Sequence, residues 1–562
     1  MTKDPTTELG APAAASPHEA RWFGHPRGLS TLFFTELWER FSYYGMRAIL
    51  VLFMVAAVTD GGLGFTDGTA TAVYGMYTAL VYLLALPGGW VADNLWGQRR
   101  SVFVGGCIIA AGHFAMAAPV LGLPEMPFFF GGLVLITIGT GLLKPNVSTI
   151  VGELYPEGGA RRDAGFSVFY MGINLGAFLG PIFCGFLAEN VSWHLGFSLA
   201  GFGMLIGLIQ YKYGEKFLGS SGLLASGDAP EVTERKARNF YMVLAGVVAA
   251  VAVFAFLAYS GVVPANLQEI ATWLGFGILL LVVLFFTYLT LGTSWAGAIF
   301  GFFVVAVLVL PRFSGIETAL DGGRWAVIGA VLLFIFLSLL KLATRGAEVT
   351  VEKRRLLVIF WLFLLAALFW SGFEQAGSSM NLFAERDTNR VLFGWEMPTY
   401  WLQSINPLFI ITLAPIFGIL WTWLAARRAN PSIPVKFALG LLGLSSGFFV
   451  LAWGAANIGP NGVSPAWLVV TYFLHTCGEL CLSPVGLSSM TKLAPAGRVG
   501  QMMGIWFIAS ALGNLIAGLV AGQIENLPSQ QLFFIVATIV GGAGIFALLL
   551  SPLVKRLMGD VE

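Results

Sequence analysis

Long apolar runs separated by short polar segments make up most of the chain. Each run has about 20 residues or more, which is the length that crosses the hydrocarbon core of a bilayer as a helix. The first six runs lie at about 31–58, 73–92, 101–120, 128–151, 164–189 and 194–212. Six more lie at about 356–380, 403–425, 435–457, 464–490, 499–522 and 530–553. The pattern predicts an all-α polytopic membrane protein.

The segment between these two sets adds further apolar runs. They lie at about 240–262, 268–291, 294–310 and 324–343, and the third is short. Lys and Arg collect in the cytoplasmic loops of membrane proteins. If the N-terminus is cytoplasmic, every predicted inner loop carries Lys or Arg. The following predicted outer loops carry neither residue: 59–72, 121–127, 458–463 and 523–529. This bias requires an even number of inserted helices, two or four, with both termini cytoplasmic.

The chain is therefore predicted to have four parts. Residues 1–27 are polar and lack the apolar core of a signal peptide, so we expect a disordered cytoplasmic tail. An N-terminal six-helix bundle follows at 28–212, then a cytoplasmic linker with the inserted transmembrane helices at 213–350. A C-terminal six-helix bundle occupies 351–562. Two related bundles that enclose a central path are typical of many secondary transporters.

Composition narrows the class of protein further. The chain is 57% hydrophobic and only 11% charged, which excludes a soluble globular protein, and its net charge of +1 gives no reason to expect a nucleic-acid partner. Cys477 and Cys481 lie one helical turn apart, but no His or carboxylate cluster completes a metal site, so we expect no metal. The sequence has no phosphate-binding loop, HExxH motif or nucleophile elbow, so we do not expect an enzyme.

Ionisable side chains inside membrane spans are costly, so each one suggests a function. The first span has the densest set, at offsets 0, 3, 4, 7, 8 and 11 along one helical face. These residues are Glu36, Glu39, Arg40, Tyr43, Tyr44 and Arg47. Such a stripe must face the bundle interior or a water-filled cavity. An ion-pair network that only fixes helix packing is the alternative.

Two further pairs of charges are predicted to lie at matching depths in the two bundles. The helical rise of about 1.5 Å per residue places Arg47 and Glu374 in the outer half of the membrane. The same rise places Lys144 and Glu479 in the inner half. Each pair joins a cation of the first bundle to a carboxylate of the second, so the two pairs could act as alternating gates. A channel is a further possibility, and it would pass its substrate without a pH gradient.

Several motifs in these spans belong together. Residues 36–45 read ELWERFSYYG and residues 169–176 read FYMGINLG. They resemble the ExxERFxYYG and FYxxINxG motifs of the proton-dependent oligopeptide transporters, a family of the major facilitator superfamily. The glycine-rich segment 88–100 resembles that family's loop motif after the second span. Further matches extend the resemblance over the whole twelve-helix core, at 143–146, 373–375, 406–407 and 478–484.

The resemblance implies a major facilitator fold and symport of di- and tripeptides with protons, without a cofactor. Arg47 and Lys144 would attract the peptide carboxylate, and Glu479, Asn174 and Asn406 would hold the amino terminus. Side-chain and backbone pockets would be lined by Tyr43, Tyr44, Tyr82, Trp506 and Ser510. The proton-coupling residues would be Glu36, Glu39, Arg40 and Glu374.

The resemblance also indicates the type of organism and the membrane in which the protein is expected. The short loop at 457–464 lacks the large extracellular domain of animal members, which favours a bacterial inner-membrane protein. We expect it to work as a monomer in the lipid bilayer. The alternative is a transporter of the same fold that moves another small solute, such as nitrate or a glucosinolate-like compound.

Overall fold

The computed structural model describes residues 21–224, 229–259, 266–309, 319–344, 349–559 and 561, and these residues are almost entirely helical. The first seven helices are α1 (Gly28–Val55), α2 (Asp67–Leu83), α3 (Ala85–Val91), α4 (Gln98–Ala117), α5 (Glu125–Glu153), α6 (Gly159–Asn190) and α7 (Trp193–Gly214). Four inserted helices follow: α8 (Pro230–Tyr259), α9 (Leu267–Thr290), α10 (Thr293–Val309) and α11 (Ala319–Thr344). The last seven are α12 (Val351–Phe373), α13 (Ser379–Arg386), α14 (Ile405–Ala426), α15 (Ile433–Ala455), α16 (Ala466–Leu493), α17 (Val499–Ala521) and α18 (Ser529–Met558).

Two short antiparallel hairpins complete the described structure. The first pairs β1 (Arg21–Trp22) with β2 (His25–Pro26), and the second pairs β3 (Val391–Leu392) with β4 (Trp395–Glu396). A π-helical turn, Ala92–Trp96, continues α3. The second predicted span is thus broken into α2, α3 and this turn, because Pro87 cannot donate the backbone hydrogen bond that would continue α2.

The described helices are those of a membrane protein. Thirteen helical segments are long and apolar enough to cross a bilayer. Helix α1 is not one of the thirteen, because four charged residues interrupt its 28-residue length. Their burial inside the protein is what allows this helix to span. The fold is the predicted polytopic all-α fold, with two helix bundles and an even number of helices inserted between them.

The two bundles have largely separate cores. In the N-terminal bundle α1 packs on α6 and α7, and α4 packs on α5 and α7. In the C-terminal bundle α15 packs on α16 and α18, and α12 packs on α17. Helices α1 and α12 begin, and helices α7 and α18 terminate, on the same side of the molecule. We call this side the basic face and the other side the opposite face. The central site lies between the bundles.

The described part of the chain has four helices in the insertion, but the number of inserted membrane spans, two or four, stays a prediction. Among the described residues of the insertion, α9 and most of α11, Gly323–Thr344, are both long and apolar enough to span, and α10 has 17 residues. Lys341 Nζ donates to the carbonyl oxygen of Thr290, so α9 and α11 end side by side. Helix α9 packs on α2 of the first bundle and on α12 and α17 of the second.

The prediction of a disordered tail over residues 1–27 is wrong for its last part. Residues 21–26 form the first hairpin, and residues 1–20 lie outside the described residues. His25 Nδ1 lies 2.8 Å from the hydroxyl oxygen of Tyr155, and Arg161 donates to the carbonyl oxygen of Gly24 at 3.1 Å. Trp22 packs against Phe33 of α1, with 5.6 Å between ring centroids. These contacts come from residues distant in sequence, and they fix a segment whose own composition is that of a loop.

Candidate functional site

A cavity of about 340 Å³ lies between the two bundles. Its walls come from α1, α2, α5 and α6 on one side and from α12, α14, α16 and α17 on the other. Nine of the ten predicted substrate-binding residues line it: Tyr44, Arg47, Tyr82, Lys144, Asn174, Asn406, Glu479, Trp506 and Ser510. The tenth, Tyr43, does not. Its ring stacks on Tyr77, with 6.3 Å between ring centroids, and its predicted role in a substrate pocket stays a prediction.

Sequence reasoning missed several aromatic residues of the cavity wall. Tyr170 lies four residues before Asn174, Trp370 four residues before Glu374, and Tyr472 seven residues before Glu479. Each spacing puts the aromatic ring on the same helical face as the polar residue that was recognised. An aromatic residue on the same helical face as a predicted polar residue could therefore have been identified from the sequence as part of the cavity wall.

Lys144 is held over an aromatic ring in the N-terminal wall. Its Nζ lies 3.8 Å from the ring centroid of Tyr82, within cation–π distance. The next residue, Pro145, has no N–H to donate to the carbonyl oxygen of Gly141, which interrupts the helical hydrogen bonds of α5 at this point. Asn146 Nδ2 donates to the carbonyl oxygen of Leu142, the next carbonyl along, at 2.6 Å.

Glu479 lies on the C-terminal wall of the same cavity. It is 8% exposed and accepts a hydrogen bond from Asn406 Nδ2 at 3.3 Å. The same Nδ2 donates to Thr476 Oγ1 at 2.9 Å, which orients the amide. Lys144 and Glu479 are not among the ion pairs that the described residues form, because the cavity separates the walls that carry them. The predicted inner gate is therefore not closed in this conformation.

Two buried carboxylates share one guanidinium beside the cavity. Arg40 Nε lies 2.7 Å from Glu36 Oε1 and 2.9 Å from Glu39 Oε2. Both glutamates are at most 2% exposed, and neither lines the cavity, whereas Arg40 does. Glu36 Oε2 and both oxygens of Glu39 lack an aligned hydrogen-bond donor. Buried carboxylate oxygens without donors are costly, and in this cluster two carboxylates share a single guanidinium.

Arg47 and Glu374 join the two bundles directly. Arg47 Nη2 lies 2.6 Å from Glu374 Oε2, and both side chains are 7% exposed. Glu374 Oε2 has no aligned donor, so the contact is Coulombic rather than a well-formed hydrogen bond. Arg47 Nε donates to the hydroxyl oxygen of Tyr74 at 2.5 Å, a partner that sequence reasoning did not identify. Arg47 lies about 29 Å along α1 from Gly28, so the pair is nearer the opposite face.

Further ion pairs close the opposite face. Arg386 donates to both carboxylate oxygens of Asp67, at 2.6 and 2.8 Å, and so ties α13 to the start of α2. Arg390 is 9% exposed and lies within 3.6 Å of a carboxylate oxygen from each of Glu189, Glu385 and Glu396. Because Glu189 belongs to the N-terminal bundle, this cluster also bridges the bundles. Among the described residues, the ion pairs Arg47–Glu374, Arg386–Asp67 and Arg390–Glu189 join the bundles, and they lie toward the opposite face.

Close helix packing completes the closure of this face. A Cβ at Gly75 of α2 would lie 3.0 Å from the Cα of Gly518 and 3.1 Å from the carbonyl oxygen of Asn514, both on α17. A Cβ at Gly518 would overlap the carbonyl oxygen of Thr71. Two glycines facing each other therefore allow the backbones of α2 and α17 to touch.

This packing predicts a conformational effect of Gly518→Leu. The larger side chain cannot fit between α2 and α17, so we expect it to favour a conformation in which these helices are apart. The measurement is maleimide labelling of a Cys introduced at Thr71, which is fully buried, in a chain without the four native cysteines. Labelling should be at least about fivefold faster, since overpacking costs about 1–3 kcal/mol and about 1.4 kcal/mol is a tenfold change. Gly542→Leu is the matched control, because a Cβ there meets nothing within 4 Å. Equal rates in both variants would contradict the prediction.

Comparison with known proteins identifies this architecture. The sequence profile described as the POT family matches residues 99–257 and 333–538. The peptide transporter YePEPT of Yersinia enterocolitica is 40% identical over 560 residues, covering 97% of this chain and 98% of that protein. The chain belongs to the POT family. The di-/tripeptide transporter of Lactococcus lactis subsp. cremoris, 36% identical over 97% of this chain and 99% of its own length, is another POT relative.

Solved POT structures share the fold. A crystal structure of a peptide transporter POT in complex with sulfate has a TM-score of 0.77 at 37% identity, covering 96% of this chain and 97% of that one. A POT family transporter in complex with 5-aminolevulinic acid also has a TM-score of 0.77, at 31% identity, covering 95% of this chain and 98% of that one. This chain is thus a membrane transporter of the POT family and not an enzyme.

Proposed function

We propose that this POT family member is a proton-coupled symporter that imports di- and tripeptides by alternating access. The observation that carries the proposal is the charge distribution of the central cavity. Arg40, Arg47 and Lys144 lie on its N-terminal wall, and Glu479 lies with Asn406 on its C-terminal wall. A short peptide carries opposite charges at its two ends, so its carboxylate would bind the first wall and its ammonium the second.

The size and lining of the cavity support a small zwitterionic substrate. Its volume of about 340 Å³ is at the lower end of the range of about 300–1,000 Å³ that small-molecule sites occupy. Aromatic side chains from both bundles, among them Tyr170, Trp370 and Trp506, provide apolar walls. Charges at the two ends and apolar walls between them would hold the peptide backbone while accepting varied side chains.

Proton coupling is assigned to the carboxylates of α1 and α12. Protonation of Glu374 would remove the charge that holds Arg47 and so loosen the opposite face. Proton uptake by the cluster of Glu36, Glu39 and Arg40 would neutralise its excess negative charge beside the cavity. Each proton would thereby change the charge that the substrate or the gate meets, which is what coupling requires.

The basic face is proposed to be cytoplasmic. Helix ends at this face carry basic residues such as Arg99, Arg161 and Lys555, and cytoplasmic segments of membrane proteins are enriched in Lys and Arg. We place the protein in a bacterial inner membrane with both termini in the cytoplasm, because the relatives compared above are bacterial. One chain supplies both walls of the cavity, so we propose that it transports as a monomer.

Dipeptide uptake into proteoliposomes tests this function. Purified protein should accumulate a labelled dipeptide above equilibrium only when an inward proton gradient is imposed, and a protonophore should abolish the accumulation. Empty liposomes provide the control. Uptake that needs no gradient would indicate a channel or uniporter. A folded protein that binds no di- or tripeptide but accumulates another small zwitterion under the gradient would move the assignment to a different solute.

A further inference from the structure

The short 3-10 turn Thr399–Ser404, which leads into α14, contacts the N-terminal bundle through uncharged groups. Gln403 Nε2 donates a hydrogen bond to the carbonyl oxygen of Ala48 on α1 at 3.3 Å. Ser404 Oγ donates to the carbonyl oxygen of Phe178 on α6 at 2.8 Å. Both hydrogen bonds join the two bundles, and none of their donors or acceptors is ionisable. Protonation of a carboxylate therefore cannot break them directly.

A second side-chain amide binds the same carbonyl oxygen. Asn381 Nδ2, on α13, donates to the carbonyl oxygen of Ala48 at 2.9 Å. Because Ala48 directly follows Arg47 in α1, both amides lie beside the ion pair of Arg47 and Glu374. The bond from Gln403 is the longer and therefore the weaker of the two. A small movement of the Gln403 side chain is thus enough to make or break it.

Gln403 differs from Asn381 because it also lines the central cavity. Asn381 is 1% exposed and is not part of the cavity wall. Gln403 Oε1 accepts no hydrogen bond from the described residues and is not buried. A side-chain amide has an acceptor oxygen and two N–H donors, so Gln403 can contact a substrate through its oxygen while its nitrogen binds Ala48. Asn406, three residues later, lines the same cavity and is proposed to bind the peptide ammonium.

From these observations we infer that Gln403 couples occupancy of the central cavity to closure of the opposite face. The inference rests on the peptide transport proposed above. An N–H group of the bound peptide, either its ammonium or its first peptide-bond N–H, would donate to Gln403 Oε1. This contact would hold the amide with its Nε2 on Ala48, and hydrogen bonds in such a chain strengthen one another. In an empty cavity the amide is free to rotate away, so closure is weaker without peptide than with it.

Peptide-dependent labelling of a buried cysteine tests this inference. The reporter is Thr71→Cys, at a fully buried position in the contact between α2 and α17, in the chain without the four native cysteines. Saturating alanyl-alanine should slow maleimide labelling of the reporter at least about twofold, because a hydrogen bond contributes about 0.5–1.5 kcal/mol. Unchanged or faster labelling with peptide would overturn the inference.

Gln403→Met removes both hydrogen-bonding groups and nearly preserves the length of the side chain. Without peptide, this variant should label about two- to tenfold faster than the unchanged protein, since one hydrogen bond of the closed face is lost. Alanyl-alanine, at a concentration that saturates the variant, should no longer slow labelling. Should Gln403→Met fail to fold, Gln403→Asn keeps an amide on a side chain too short for both contacts, and it should show the same loss.

Asn381→Leu is the matched control, because it removes the other donor to Ala48 at a position outside the cavity wall. It should also label faster without peptide, but alanyl-alanine should slow its labelling as much as in the unchanged protein. A hydrogen bond that only stabilises closure changes the basal rate, whereas one that couples to the substrate changes the response to peptide. Equal peptide responses in Gln403→Met and Asn381→Leu would overturn the inference.

Isothermal titration of alanyl-alanine on the same preparations separates this inference from the proposed function. A folded protein that binds no dipeptide would contradict the proposed function and this inference with it. Dipeptide binding with full slowing of labelling in Gln403→Met would overturn this inference alone. Alanyl-sarcosine, whose peptide bond has no N–H, identifies the donor on the substrate. Slowing by both peptides assigns the contact to the ammonium, and slowing by alanyl-alanine alone assigns it to the peptide bond.

Discussion

Glu374→Gln is expected to abolish proton-driven peptide uptake while leaving exchange of labelled for unlabelled peptide partly intact. The amide keeps the shape of the carboxylate but has no charge to offer Arg47 Nη2, which lies 2.6 Å from Glu374 Oε2. Breaking a buried ion pair costs about 3–5 kcal/mol, and about 1.4 kcal/mol is a tenfold change, so driven uptake should fall at least about tenfold. Exchange needs no return of the proton and should persist.

The measurement is uptake into proteoliposomes under an inward proton gradient, beside counterflow without one. Glu352→Gln is the matched control, since this glutamate is exposed in the first turn of the same helix, α12. The control should transport like the unchanged protein in both assays. Driven uptake by Glu374→Gln equal to that of the control would remove Glu374 from the coupling mechanism.

Lys144→Ala is expected to weaken binding of a dipeptide far more than binding of its carboxyl-amidated analogue. The ammonium over the Tyr82 ring is proposed to bind the peptide carboxylate, and the amidated analogue has no such charge. A hydrogen bond to a charged group contributes about 1.5–3 kcal/mol, so the dissociation constant should rise about 10- to 150-fold for the dipeptide. Isothermal titration of both ligands measures the two effects.

The opposite wall provides the complementary comparison. Glu479→Gln should weaken binding of the free dipeptide and have less effect on an N-acetylated one, which lacks the ammonium that Glu479 is proposed to bind. The two variants should therefore show opposite preferences between the two blocked peptides. Equal losses for free and blocked peptides in both variants would argue against recognition of the peptide ends.

Most of the membrane-spanning helices could be predicted because they are continuous apolar runs in the sequence. What could not be predicted depends on contacts between distant residues. The hairpin of residues 21–26 is held by Tyr155 and Arg161, more than 120 positions away. The break after α2 depends on one residue, Pro87, within an otherwise apolar run. The local composition of these segments predicts neither the contacts that hold the hairpin nor the position of the helix break.

The candidate site was largely visible in the sequence because charges in apolar spans are conspicuous. Orientation around a helix was less certain: Tyr43 and Tyr44 are adjacent, yet only Tyr44 lines the cavity. The predicted partners Lys144 and Glu479 are separated here, while Arg47 and Glu374 touch. Which of two gates is closed is a property of the conformation, and a sequence encodes both conformations at once.

The position of α9 limits how the bundles can move. This inserted helix contacts α2 on one bundle and α17 on the other, the same two helices whose glycines meet at the closed face. When the bundles rock apart, α9 can travel with only one of them and must slide over the other. At Gly275 the Leu515 side chain of α17 lies against α9, and Ala271, one turn earlier on α9, is a small and fully buried residue. Helix α9 thus forms a sliding contact between the two bundles, and bulky side chains at Ala271 and Gly275 would hinder the relative movement of the bundles.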